Sequence, residues 1–227
     1  LASSARAYTE MVNADEASQI MFINRYLEEG IKPDCWWMDA GWYMNEIPVR
    51  GFWPIGSYYD ADPNRFPNGI GAISDHAHSK GMKTLLWFEP ENVYPQTWLM
   101  NIHPDWVLKS EAYNHLLNLG NQEAVKWRTN NVDRAIKKAK ADIYRQDFNM
   151  DPLPYWRNND AEDRLGINEI KHCMGYLEFW DELRRRYPDL LIDSCASGGR
   201  RNEVESMRRS VPLWRSDYAY EPIGHQG

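Results

Sequence analysis

Cysteine is scarce in this 227-residue chain: Cys35, Cys173 and Cys195 are an odd number, with no C-x-x-C spacing among them. A disulfide framework or a cysteine-based zinc site is therefore not expected to organise the fold. A basic run is missing too. Lys and Arg total 26 against 33 Asp and Glu, a formal net charge of −7, which argues against nucleic acid or an anionic membrane surface as partner. No apolar run approaches the roughly 18 to 20 residues that span a bilayer. The glycine-rich and nucleophile signatures are equally absent: no G-x-G-x-x-G follows the first apolar run, and neither the P-loop order nor G-x-S-x-G occurs. His76 and His78 sit two apart, not in the H-E-x-x-H order, and His103, His115 and His172 have no partner at ligand spacing. No metal and no organic cofactor is expected. No charged-then-apolar leader opens the chain, so the sequence assigns no compartment.

What is present is aromatic. Eleven Trp and thirteen Tyr are a heavy load for this length. Flat apolar faces with one polar edge suit cores, and they suit the C–H faces of sugar rings. Hydrophobic residues at 43% with 26% charged describe an ordered chain, not a disordered one.

Periodicity alternates along the chain. Residues 13–30 carry Ile20, Ile23 and Leu27 at helical spacing, with Asn13 as expected N-cap and Gly30 at the exit. Cys35 to Met38 reads as a buried strand ending at Asp39, and 43–68, rich in Pro, Gly, Tyr and Asn, as a long loop. Helices are expected over 70–81, 121–140, 168–187 and briefly near 200–210, and strands over 83–88, 142–146, 190–192 and 213–215. Such alternation implies βαβ units and a parallel sheet, in a (β/α)8 barrel or a doubly wound layer. Each strand ends on a reactive residue (Asp39, Glu89, Asp147, Cys195 and Asp217). A barrel gathers such ends on one face, so the α/β fold class expected is the (β/α)8 barrel, incomplete at about five of eight strands. Residues 1–227 are read as one partial barrel domain.

Asp147 follows an apolar strand, with Arg145 two residues earlier and so on the same strand face. A fixed cation keeps a carboxylate ionised, which suits a nucleophile; an Asp that merely caps the next turn would look the same. Asp217 also follows a short apolar run, between Trp214 and Tyr218. Aromatic walls would desolvate its carboxyl and raise its pKa, as a general acid requires. Two carboxylates in opposite protonation states are the requirement for glycoside hydrolysis. In Asp193-Ser194-Cys195-Ala196-Ser197-Gly198-Gly199-Arg200-Arg201, paired glycines let backbone amides approach a ligand closely.

Five motifs occur in one order: Trp37-Met38-Asp39-Ala40-Gly41-Trp42, Trp87-Phe88-Glu89-Pro90-Glu91, Arg145-Gln146-Asp147-Phe148-Asn149, Cys195-Ala196-Ser197-Gly198-Gly199 and Trp214-Arg215-Ser216-Asp217. With them the chain, from about residue 31 onward, resembles the catalytic barrel of glycoside hydrolase family 36, the retaining α-galactosidases or melibiases. The resemblance implies that the strands are the second to sixth of the barrel, and that the family's flanking β-domains lie outside these residues. It implies Asp147 as nucleophile and Asp217 as acid/base. Asp39 would hold galactose hydroxyls, Trp87 would line the sugar site, Arg145 would donate to a hydroxyl, and Cys195 and Gly198 would contact the sugar near C2. Trp42, Asn149, Arg201 and Trp214, within or beside the motifs, complete the expected substrate-binding set. The partner implied is an oligosaccharide or glycoside, with homo-oligomerisation of the full-length protein left open.

The departures concern specificity. The family's second Asp is Ala40, its usual Lys is Arg145, the turn's third Gly is Arg200, and Arg215 stands where Cys is common before the acid/base. Lost carboxylate contacts and a planar fork in place of an ammonium point to another galacto-like glycone, such as α-N-acetylgalactosaminide or β-L-arabinopyranoside. A non-catalytic sugar-binding barrel is the remaining reading. Glu89 and Glu91 fit either a role in orienting the site or a structural ion pair.

Overall fold

A computed structural model describes residues 1–4, 11–49, 51, 54–55 and 57–217. The first helix, α1 (Glu16–Glu28), starts two residues later than expected, because Asp15 rather than Asn13 caps it. The Asp15 carboxylate accepts the Ser18 N–H at 2.7 Å, and the Ser18 side chain closes the capping box in return. Gly30 at φ +78° carries the chain out of the helix into β1 (Cys35–Met38).

After the irregular 43–68 stretch come α2 (Ile70–Ser79) and β2 (Lys83–Phe88), close to their expected positions. Between β2 and the next helix lies a small antiparallel sheet that the sequence did not reveal, β3 (Asn92–Val93), β4 (Val107–Leu108) and β5 (His115–Leu117), with the short helix α3 (Trp98–Ile102) inside it. Strands of two or three residues are too short to present a period. Helix α4 (Gln122–Ala139) is capped by Asn121, whose side chain accepts the Glu123 and Ala124 N–H groups. It leads to β6 (Ile143–Gln146), then to α5 (Leu153–Arg157), α6 (Ile167–Arg186), β7 (Leu191–Ser194) and α7 (Val204–Met207).

The principal sheet has the order β1-β2-β6-β7, with every pair parallel. Each new βα unit adds on the same side of its predecessor, as in a barrel wall; a doubly wound sheet reverses direction. The expected fifth strand at 213–215 does not form. Val211 makes a single parallel bridge to Asp193, and Pro212 then has no N–H to donate. The Leu213 N–H is taken by the Asp193 carboxylate at 2.8 Å instead of by a ladder carbonyl. The loss of that strand matters for the site, because it leaves Trp214 to Asp217 in irregular backbone.

Helices α2, α4 and α6 cover the sheet's outer face, with α1 packed on α2. The core runs from Trp36 through Leu86, Phe88 and Tyr144 to Phe179 and Trp180. Trp36 is pure core: its indole N–H meets Gln19 Oε1 at 3.1 Å, while Trp37 on the opposite strand face turns toward Arg145 and Trp214. Among the described residues no helix is long and apolar enough to cross a membrane.

Candidate active site

The parallel register brings the C-terminal ends of β1, β2, β6 and β7 to one edge, and with them Asp39, Glu89, Asp147 and Cys195. Asp147 is the best-held of these. Its backbone N–H donates to Phe88 O, which fixes it one step beyond β6. Oδ1 accepts the N–H groups of Phe148 (2.8 Å) and Ser197 (3.2 Å); Oδ2 accepts Trp87 Nε1 (3.2 Å) and Asn149 Nδ2 (2.8 Å). Burial pushes its pKa up, but the Asn149 hydrogen bond, the Arg145 charge and the Phe148 amide together outweigh that and hold it below the ordinary aspartate value. The Asp that caps the next turn and the ionised, oriented carboxylate are thus the same side chain.

Arg145 acts on Asp147 through space only; its ion pair is with Asp193, its register partner on β7. Both are buried in the sheet interior. Burial works against the guanidinium, and the neighbouring Cys195 and Asp193 more than offset it. The guanidinium also lies over the Trp37 ring at 4.4 Å. Asp193 was not singled out from the sequence, although a lone Arg in a strand buried on both faces requires a partner, and a carboxylate in the adjacent strand supplies it.

The glycines of the 195–199 turn are needed for packing. Gly198 has φ +81°, and a Cβ there would come within 3.0 Å of Ser216 Cα and 3.1 Å of the Asp217 nitrogen; at Gly199 it would meet Arg215 O at 2.6 Å. The turn therefore serves two sides. Ser197 gives its N–H to Asp147, and Gly198 lets the backbone of Asp217 lie against it. Asp217 is exposed, so the desolvation expected from aromatic walls is not found; Trp214 instead donates its indole N–H to the carboxyl at 2.8 Å. Tyr218, the other expected wall, lies outside the described residues. Cys195 is buried beside Asp147, and that burial pushes its thiol pKa up.

Asp39, half-buried, accepts the Ala40 N–H at 2.6 Å and contributes to the field on Arg145. Two expected sugar contacts spend their polar groups on the protein itself. Trp42 is 2% exposed, spends its N–H on Trp87 O (2.9 Å) and packs among Tyr43, Tyr59 and Phe88. Arg201 forms a fork on Glu91 (2.6 and 3.0 Å) and covers the Phe148 ring at 3.7 Å. Glu91 also accepts from Gln146 Nε2 at 2.9 Å and pairs with His172 Nε2 at 2.7 Å, a partnership 81 residues apart that no local spacing could disclose. Arg200, noted as a departure, points its guanidinium at the Ala196, Phe148 and Met150 carbonyls and so clips the β6 loop to the β7 turn.

A parallel α/β sheet whose strand ends converge on a hydrogen-bonded, ionised carboxylate defines the class. The melibiase family model matches residues 12–224, and the chain belongs to that family. Among curated relatives, the α-galactosidase Mel36A of Lactobacillus acidophilus is 29% identical over 193 residues, covering 79% of this chain and 25% of its own length. An Escherichia coli α-galactosidase is 28% identical over 187 residues with the same coverage. The chain thus spans about a quarter of the length of these relatives. Among solved structures, an α-galactosidase from Lactobacillus brevis superposes with TM-score 0.80 at 25% identity over 95% of this chain and 29% of its own. The α-galactosidase AgaA from Geobacillus stearothermophilus gives 0.79 at 22% identity, over 95% and 30% of the two chains, and has also been solved with raffinose and with stachyose. The four-stranded sheet is accordingly an arc of a (β/α)8 barrel.

Proposed function

We propose that residues 1–227 form part of the catalytic barrel of a retaining α-galactosidase, and that the family's flanking β-domains lie outside this stretch. The observation that carries the reading is the Asp147 carboxylate, which has two donors on each oxygen and a pKa held below the usual range. In the first step an Asp147 oxygen attacks the anomeric carbon as its bond to the leaving oxygen breaks. Asp217 gives that oxygen a proton, so a galactosyl ester and a free alcohol result. In the second, Asp217 takes a proton from water as the water oxygen displaces Asp147, releasing galactose with its original anomeric configuration. Asp39, Trp87, Arg145, Asn149, Cys195, Gly198 and Trp214 shape the surroundings of the sugar. The substrate class is an oligosaccharide with a terminal α-galactoside, as in the ligands of the Geobacillus relative. A cleft of about 600 Å³ beside Asn149, of mixed lining that includes Ser110, Asn114, Met150, Asp151 and Tyr155, leaves room for more than one sugar.

The test is hydrolysis of an aryl α-galactoside by the full-length protein and its Asp147→Gly and Asp217→Ala variants. Asp147→Gly is expected to lose about 10⁴-fold in kcat, with azide restoring aglycone release. Unchanged hydrolysis in both variants would overturn the reading and favour a sugar-binding barrel.

A second reading changes only the glycone. Ala40 is 2% exposed in the main apolar cluster, where the family's second carboxylate would reach a hydroxyl. A panel of aryl glycosides separates the two readings: preference for N-acetylgalactosaminide or arabinopyranoside supports the altered glycone, and preference for plain α-galactoside removes it.

A further inference from the structure

We propose that Glu89 is a positioning residue for the Asp147 carboxylate, acting through Asn149; the inference rests on the reaction proposed above. Glu89 lies one residue past β2, is 1% exposed, and accepts the Asn149 backbone N–H on Oε1 at 2.6 Å. The side chain of Asn92 is hydrogen-bonded to it as well. Asn149 in turn donates Nδ2 to Asp147 Oδ2 at 2.8 Å and accepts the Ser197 hydroxyl on Oδ1 at 2.7 Å. Ser197 then gives its backbone N–H to the other oxygen of Asp147. Both carboxylate oxygens are therefore gripped by one chain of contacts that begins at Glu89. Asn149 is an exposed residue, and an exposed amide keeps one rotamer only while its partners and its backbone hold it. Glu89 fixes that backbone from inside the sheet.

An ionised carboxylate so near Asp147 would oppose the nucleophile's charge. Burial first, and the Asp147 charge second, push the Glu89 pKa up to about 8, so near neutral pH it accepts the Asn149 N–H as an uncharged acid. The titratable groups around it are Asp147 beyond β6, Tyr43 and Tyr59 from the long loop, and Glu91 two residues along. Burial lifts both tyrosines well above their usual range, so they stay neutral. Glu89 touches no reacting atom, which separates its role from that of Asp147.

The experiment compares Glu89→Ala, Glu89→Gln and Asn149→Ala in the full-length protein, with kcat and KM measured on an aryl α-galactoside and folding followed by thermal unfolding. A nucleophile displaced by about 1 Å loses on the order of 100-fold in rate. Glu89→Ala is expected to lose about that much kcat with KM changed only a few-fold. Glu89→Gln, whose Oε1 accepts the same N–H, should lose less than about fivefold. The two alanine variants combined should be no worse than the poorer single one, because they break the same path. A buried acid with raised pKa contributes stability that is full below about 4.5 and is lost as pH rises through about 8. Glu89→Gln should therefore flatten the pH dependence of unfolding across that window.

Wild-type kcat in Glu89→Ala, or Glu89→Gln as impaired as Glu89→Ala, overturns the inference. Should Glu89→Ala fail to fold, an unchanged kcat in Asn149→Ala overturns it equally. An active Asp147→Gly protein instead removes the functional reading itself, whereas an inactive one beside a fully active Glu89→Ala removes only the role of Glu89.

Discussion

Glu89 and Glu91 stand on either side of Pro90 at the end of β2, both fully buried, and their surroundings drive them in opposite directions. Glu89 faces the site, where its neighbours are amides and the Asp147 anion, and its pKa rises to about 8. Glu91 faces α6, and although burial alone would raise it, the Arg201 charge and the His172 hydrogen bond bring it down to about 2. Burial is common to both, so the partners decide the protonation state. One carboxyl is a neutral acceptor that shapes a loop; the other is a permanent anion that ties three elements together. The site side of the strand end holds the geometry of the Asp147 carboxylate, and the helix side holds the strand end.

That contrast can be tested on its structural side first. Glu91→Ala leaves the half-buried Arg201 guanidinium without its counter-charge and the buried His172 without its acceptor, a change expected to cost about 2–3 kcal/mol of stability in chemical denaturation. Because the Glu91 pKa is lowered in the fold, its contribution is present above about 4.5 and is lost as pH falls toward about 2. Arg201→Ala should remove that acid-side slope, and a slope unaltered in the variant would place the acid sensitivity elsewhere. A smaller effect is expected at Arg200, whose contacts are backbone carbonyls of the two loops. Arg200→Ala should cost about 1–2 kcal/mol of stability with glycone preference unchanged. A shifted glycone preference in that variant would make Arg200 a specificity residue after all.

The elements legible in the sequence were those with a long period or a clean cap. Ile20, Ile23 and Leu27 marked α1, and Asn121 marked the start of α4. The strands β1 and β2 stood out because a parallel strand covered on both faces is largely apolar, as Cys35-Trp36-Trp37-Met38 and Leu85-Leu86-Trp87-Phe88 are. The antiparallel β3 to β5 carried no such signal, and Pro212 cut short a strand that Leu213 and Trp214 suggested. At the site, Asp147 and Arg145 were readable because charge at the end of an apolar run, or within one, is unusual. Trp42 and Arg201 were expected at the sugar and His172 was given no role, and the contacts that hold all three were not legible because they come from distant partners: the Trp87 carbonyl for Trp42, and Glu91 for Arg201 and His172.

The central claim is that Asp147, held by four hydrogen bonds and kept ionised by Asn149, the Arg145 charge and the Phe148 amide, forms the bond to the sugar. The full-length protein incubated with an activated fluoroglycoside of galactose, whose glycosyl ester turns over slowly, tests it directly by peptide mass spectrometry. The account predicts one galactosyl adduct on the peptide carrying Asp147, lost when Asp147 is replaced. An adduct on another residue, or steady hydrolysis of the probe by the Asp147→Gly protein, would contradict it.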